Sequence, residues 1–378
     1  MGTTSGFARD LMLTSQAVFK GSNPETKITA PGFLQMCVDA GKTQIISSQK
    51  DQSSGLVRDI KLKYRQRSTA GNSSSSYTCD ADNFRLWNEA YITQSLFRQI
   101  AINFDFDTVA KLEAEAIVKR AAPGQPANTD PLDGVMAVVW DAIASEMNGM
   151  LADMDTDLLT KMNLNWGYNA TNNLNTAKTV NFPLATTTNS LVAGMTGLLH
   201  DAQMNEMDIN NCAIVGNGFV SNYYIQNVLK GAIGLSAAGL NTASLGMPKF
   251  YQDFYTVSNW GANEFGLIDT QALQFLDLNV NQGFKATELG TSVYFMMPMM
   301  LTTSAGTTFQ MNFDVQIKTV DCPTVIDNRY SDPITVGPGY IVYIRKPFDI
   351  FVQPGNTYGA TDRLAGNNGT LKYIATNV

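Results

Sequence analysis

The longest regular pattern of apolar positions in this chain runs from Asp130 to Met162. Val135, Val139, Ile143, Met147, Met150, Met154, Leu158 and Met162 recur at steps of three and four, and Val138, Ala142, Leu151 and Leu159 widen the stripe. That spacing is one face of an α-helix. Asp130 and Pro131 read as N-cap and first turn, since the carboxylate accepts an orphan N–H and proline has none to leave unsatisfied. Asp133 adds negative charge where the helix dipole favours it, and Gly167 is the expected stop. At ~1.5 Å per residue the helix predicted over 130–162 is about 50 Å long. The rest of the chain is organised around it.

Ahead of this helix the pattern is extended. Residues 1–53 are punctuated by Gly, Pro and Ser, carry only short apolar clusters, and read as an arm that lies on neighbouring surfaces, with no N-terminal segment expected to be removed. From Leu56 the chain alternates: Ile60, Leu62 and Tyr64 fall on one face, Lys61, Lys63, Arg65 and Arg67 on the other. A polar loop from Ser68 to Thr78 and a returning stretch from Phe84 to Ile92 complete a hairpin, which cannot bury both of its faces alone. Ile100, Ile102, Phe104 and Phe106 alternate again. A short helix is expected over 107–121, with Glu113 and Glu115 on different faces.

Beyond the helix, the Asn- and Thr-rich stretch 168–189 reads as a domain boundary. Leu191, Met195, Leu198, Leu199 and Ala202 then predict a helix, NNCAIVG a short buried strand, FVSNYYIQNVLKG a second helix ending at Gly231, and MPKFYQDF another strand. Phe309, Met311, Phe313, Val315 and Ile317 alternate cleanly and predict, with VYFMMPMML before them, a β-ribbon with one buried face. Residues 324–378 read as a further small β element.

Composition narrows the class. The 378 residues are 44% hydrophobic and only 16% charged, a balance that suits β-rich packing or extensive subunit contacts. A net charge of −7 argues against a dedicated nucleic-acid binder. No apolar run is long enough to span a membrane. Cys37, Cys79, Cys212 and Cys322 are scattered without metal-ligand spacing and read as reduced, buried thiols. Within the long helix, Asp133, Asp141, Glu146, Asp153, Asp155 and Asp157 face Lys161 alone, which points to a surface that repels DNA.

Each candidate catalytic or ligand-binding motif fails a specific requirement. His200, the single histidine, adjoins Asp201 but no nucleophile motif. Asp153, Asp155 and Asp157 imitate the start of a calcium loop, yet Leu158 and Leu164 occupy the positions of its glycine and closing glutamate, leaving a solvated acidic face. Gly216-Asn217-Gly218 imitates a dinucleotide fingerprint with Ser221 in place of the third glycine. No cofactor and no enzymatic activity are expected. The candidate functional residues are instead the hairpin cations Arg58, Lys61, Lys63, Arg65 and Arg67, read as an inter-subunit contact that steers docking against acidic neighbours.

The order of elements resembles the major capsid proteins of tailed bacteriophages, the HK97-fold family. Two stretches carry the resemblance: NSLVAGMTGLLHDAQMNEMDINNCAIVGNGFVSNYYIQ, and MPKFYQDFYTVSN through GLIDTQALQFLDL. The resemblance implies an α+β fold. Its parts are an N-terminal arm (1–53), an extended hairpin or E-loop (54–98), a peripheral domain (99–167 and 264–323) with its spine helix at 130–162, an axial domain (168–263), and a C-terminal β extension (324–378). It also implies self-assembly as hexamers and pentamers into an icosahedral virion shell, built in the host bacterial cytoplasm. Such a shell encloses double-stranded DNA without sequence-specific binding and meets portal, scaffolding and decoration proteins. In some members a hairpin lysine is joined to a neighbour's asparagine, for which Lys61 or Lys63 are the candidates; the non-covalent reading is preferred. An encapsulin-like compartment is the rival within the fold. A β-rich hydrolase or carbohydrate-binding protein is the rival outside it.

Overall fold

The computed structural model describes residues 8, 11, 28–40, 45–50, 58–64, 88–105, 131–167, 178–181, 197–222, 248–279, 287–289, 292–303, 308–320, 324–325, 334–335, 338–355, 364 and 366–376. Two helices are labelled, α1 (Gly32–Ala40) and α2 (Pro131–Asn163). Among the described residues four strands precede α2: β1 (Ile45–Lys50), β2 (Arg58–Tyr64), β3 (Asn88–Thr93) and β4 (Leu96–Asp105). After it come β5 (Lys178–Asn181), β6 (Cys212–Gly216), β7 (Lys249–Gln252), β8 (Glu264–Asp269) and β9 (Leu273–Asp277). The remainder are β10 (Thr287–Leu289), β11 (Ser292–Thr302), β12 (Thr308–Val320), β13 (Thr324–Val325), β14 (Ile334–Thr335), β15 (Gly339–Val352) and β16 (Thr370–Thr376).

The chain divides into two compact units, each assembled from three separate segments. The first comprises residues 1–30, 97–153 and 277–347. Its frame is the sheet order β10-β11-β12-β15-β4, all antiparallel where the register is given. The ribbon expected from alternation is the β11–β12 pair, in register from Ser292↔Lys318 to Thr302↔Thr308. Met311, Phe313, Val315 and Ile317 are each buried, as are Val293, Phe295, Met297, Met299 and Leu301 opposite them. The apolar stripe of α2 also enters the core, for Val139, Ile143, Met147 and Met150 are at most 2% exposed. Ala8 and Leu11, from the stretch read as an arm, are buried too.

The second unit comprises residues 31–96, 154–276 and 348–378. A five-stranded mixed sheet, β5-β16-β8-β6-β7, has β6 as a wholly buried strand, since CAIVG is apolar at every large position. Leu198 and Ala202, on a helical stretch over 197–204, pack on it with Phe265, Leu267, Leu371 and Tyr373. The aromatic rings of Phe265 and Tyr373 stack with centroids 5.3 Å apart. A three-stranded antiparallel sheet, β1-β2-β3, holds the expected hairpin with one strand added. Ile60 and Leu62 are fully buried on one of its faces, and Tyr64 meets Phe351 at 5.4 Å.

Four expectations need correction. The long helix ends at Asn163, four residues before Gly167. That glycine is needed for close approach instead: a Cβ there would lie 2.3 Å from Asn368 Oδ1 and 2.7 Å from Thr370 O, and its N–H donates to Thr370. Residues 324–378 are not an element of their own. The apolar run of β15 lies between β12 and β4, and β16 lies between β5 and β8, because each offers buried positions to a sheet core that earlier strands leave incomplete. The stretch read as an arm contains α1, with Phe33, Leu34, Met36 and Cys37 buried. Asp155, read as solvated, is fully buried. The helix predicted over 107–121, the N-cap Asp130 and the loop Ser68–Thr78 lie outside the described residues.

Candidate functional site

Of the cations singled out by sequence, Arg58, Lys61 and Lys63 lie on β2, which is paired on both sides. In its register with β3, Lys61 stands opposite Tyr91 and Lys63 opposite Glu89. Lys61 Nζ reaches Glu89 Oε2 at 2.6 Å and lies 5.5 Å from the centre of the Tyr91 ring. Its pKa is raised, first by the hydrogen bond to Glu89 and then by that to Tyr91. The acidic partner expected from a neighbouring subunit is therefore supplied, for Lys61, by its own chain. Lys63 is exposed, and Tyr91 is 72% exposed. Arg58 takes its place in β2 at the Lys50 register. Arg65 and Arg67 lie outside the described residues.

A second polar constellation, which sequence reasoning missed, sits in the core of the second unit at the start of α1. A helix leaves its first N–H groups without intrahelical acceptors. Here Phe33 N donates to Asp253 Oδ2 and Leu34 N to Asp155 Oδ1, both at 2.7 Å. The acceptors come from 220 and 121 residues away. Gly32 permits this docking, since a Cβ there would lie 2.1 Å from Gln252 O. Asp253 is well supplied, with Tyr255 N donating to its other oxygen at 2.8 Å. Asp155 Oδ2 is buried with no hydrogen-bond partner among the described residues. Burial, and then the charge of Asp253, raise the Asp155 pKa well above its ordinary range. The same two causes, burial first and then Asp155 and Asp253, raise that of the buried Cys37 thiol. At the far end of α1, Asp39 accepts from Lys249 Nζ and Tyr251 Oη, each at 2.7 Å. The arrangement clamps a helix; nothing in it presents a reactive atom to a substrate.

The remaining sequence candidates are separated. His200 is largely exposed, with Nδ1 3.9 Å from Asp201 Oδ1, while Asp201 accepts from Tyr373 Oη at 3.1 Å. Asn217, in the loop that imitated a dinucleotide fingerprint, uses its own side chain on the following helical turn: Oδ1 accepts from Phe219 N and Val220 N at 3.0 and 3.1 Å. Those N–H groups are thereby occupied. Asp153 is exposed, with Arg98 3.7 Å away. Cys37 and Cys212 are buried and carry no disulfide; Cys79 and Cys322 lie outside the described residues. Among the described residues no helix is long and apolar enough to cross a membrane.

An exposed apolar group is a further surface feature. Phe254 is 70% exposed, and Tyr255 and Val257 in the same turn are also open. Leu164 is 81% exposed, just beyond α2. The two segments are tied together, with Asn163 Nδ2 donating to Asn259 O at 3.3 Å and Thr160 Oγ1 to Asn259 Oδ1 at 3.0 Å.

No family model matches the chain, and neither does any curated protein. Solved structures do. The chain is similar to a structure titled "Cyanophage A-1(L) capsid asymmetric unit" at 13% identity and a TM-score of 0.47, over 93% of this chain and 94% of that one. It is similar to one from Mycobacterium phage Adephagia at 8% identity and 0.45, over 94% and 92%. A virus-like particle from Pyrococcus furiosus matches at 6% identity and 0.36, over 90% and 96%.

Proposed function

We propose that this chain is a shell-forming structural subunit, the major capsid protein of a tailed double-stranded DNA phage, without enzymatic activity. The observation that supports the reading is the order of elements along the chain. A hairpin-based sheet (β1–β3), a 33-residue helix (α2), a mixed sheet with helical stretches (β6–β8) and a long antiparallel ribbon (β11–β12) follow one another in the sequence implied for the HK97-fold family. On this reading β1–β3 belong to the E-loop, α2 is the spine helix, β6–β8 belong to the axial domain and β11–β12 to the peripheral domain. Subunits assemble as hexamers and pentamers into a closed shell around DNA, and portal, scaffolding and decoration proteins join that shell in the virion. The exposed group of Phe254, Val257 and Leu164 suits burial between copies.

The test is direct. Purified protein, concentrated at moderate ionic strength, is expected to form closed particles of uniform diameter, with rings of six and of five visible by negative-stain microscopy. A subunit that stays monomeric by light scattering and sedimentation over the same range refutes the reading.

A further inference from the structure

Within the second unit, β3 ends at Thr93, and Gln94 and Ser95 carry the chain from it to Leu96, the first residue of β4. A short connection between two strands is where a change of direction is most easily absorbed. Here it is fastened. Ser95 N donates to Asp349 Oδ2 at 3.1 Å, and Ser95 Oγ lies 3.4 Å from the same oxygen. The other oxygen, Oδ1, accepts from Ile350 N at 2.7 Å and contacts Lys161 Nζ in the last turn of α2. Asp349 is fully buried with both oxygens occupied, whereas Ser95 is exposed. The Tyr64 ring, which meets Phe351 at 5.4 Å, is a second tie to β15, but it is apolar and lies at the far end of the β2–β3 pair, since Tyr64 stands opposite Asn88 and Asp59 opposite Thr93. The direction in which β3 leaves the connection is therefore set at Asp349.

Gln94 works against this hold. It is 4% exposed, its Nε2 donates to Leu96 O at 2.8 Å, and its Oε1 is buried with no hydrogen-bond partner among the described residues. A buried oxygen of this kind has lost its water without gaining a bond, so a movement that lets water reach it is favourable. Two opposed features thus stand side by side in the chain. One is an acceptor that gains from opening, and the other is an N–H whose opening deprives a buried carboxylate of its donor.

We propose that Gln94 and Ser95 form a spring-loaded joint, latched by Asp349, about which the β1–β3 sheet turns between two directions. In the latched direction Ser95 N–H is held by Asp349 and Gln94 Oε1 is dry. In the released one both groups are in water, and Asp349 keeps Ile350 N and Lys161. The equilibrium between the two is set by the difference in what each satisfies. The cations Lys61 and Lys63 travel with the sheet that carries them, so the joint decides where that charge is presented.

The experiment is amide hydrogen exchange of the purified full-length chain, read by mass spectrometry on peptides covering residues 88–96, with β6 as internal reference. In the parent the Ser95 amide is expected to exchange slowly although its side chain is exposed. Asp349→Asn removes the anion and leaves Lys161, 29% exposed at its side chain, free to turn to water. It is expected to speed exchange over 93–96 by about tenfold and to leave β6 unchanged. Gln94→Met keeps the length of the side chain and removes the orphan oxygen, and is expected to slow exchange there by about threefold. The opposite signs are the signature, because residues with a merely structural role loosen the joint when either is replaced. Gln94→Met that speeds exchange, or leaves it at the parent rate, overturns the inference. So does Asp349→Asn with parent exchange at the joint. Equal acceleration of β6 in Asp349→Asn also overturns it, since Asp349 is then a general support of the unit.

Discussion

Asp155 carries a carboxyl group into the buried face of α2. It lies four residues after Leu151 and four before Leu159, at the middle of the buried arc of α2. The alternation Asp153-Asp155-Asp157 drew the reading towards solvent, although on a helix that spacing spreads the three over different faces. What the sequence could not supply is the reason a carboxyl tolerates that place: an N–H from Leu34 and a neighbour in Asp253, both distant in the chain. The pKa of Asp155 is raised above 3.8 in the folded protein, so the folded state holds a proton that the unfolded chain releases. Stability is then greatest below the unfolded value and falls as pH rises from there towards the folded pKa. Asp155→Asn mimics the protonated form and removes that loss. The substitution is expected to stabilise the protein at neutral pH by about 1–3 kcal/mol, with the difference disappearing near pH ~4 where the parent is protonated. Thermal unfolding of both proteins across that range measures it; parallel profiles would reject the assignment of the proton to Asp155.

At the scale of elements, local periodicity was enough for α2, β4, β6, β7 and the β11–β12 pair, whose apolar positions repeat at one period without interruption. Helix α1 escaped notice because only nine residues carry it, too few to be marginally stable alone, and its capping is supplied by residues far along the chain. Its hold on the second unit rests on packing. Phe33 is fully buried and meets Trp260 edge-on at 5.9 Å, and Trp260 in turn donates to Leu159 O at 3.1 Å. Phe33→Ala is expected to cost about 3–5 kcal/mol in denaturant unfolding. The hairpin gives a prediction of the opposite kind. Since Glu89 already meets Lys61, the exposed Lys63 is, among the described hairpin side chains, a cation open to a docking neighbour. Lys63→Gln is expected to slow particle formation at low salt more than Lys61→Gln, and the gap is expected to close as salt rises. Light scattering across a salt series follows both; equal rates at low salt would remove Lys63 from the contact.

For the whole molecule, the sequence conveyed the order of elements but not their partners. Nothing in GYIVYIRKPFDIFV or TLKYIAT announces that the first lies beside β4 or the second beside β8, because pairing across hundreds of residues leaves no periodic trace. The same limit hid the exposed group at Phe254 and Leu164, whose neighbours are set by the ties from α2 to Asn259. Changing Phe254 and Leu164 together to Ser is expected to leave thermal stability within about 0.5 kcal/mol while abolishing particle formation. A double variant that assembles normally by microscopy would place the contacts between copies elsewhere. The position of β16 has a consequence in the cell. On the ribosome β8, made after β6 and β7, precedes Thr370 by roughly 100 residues, which at ~5–20 residues per second leaves a wait of roughly 5–20 s. Through that interval β8 has no partner on one edge and β5 has none at all, since both wait for β16. A nascent subunit is thus an unfinished sheet until β16 is made, and through that interval the bare edge of β8 is open to pairing with another chain.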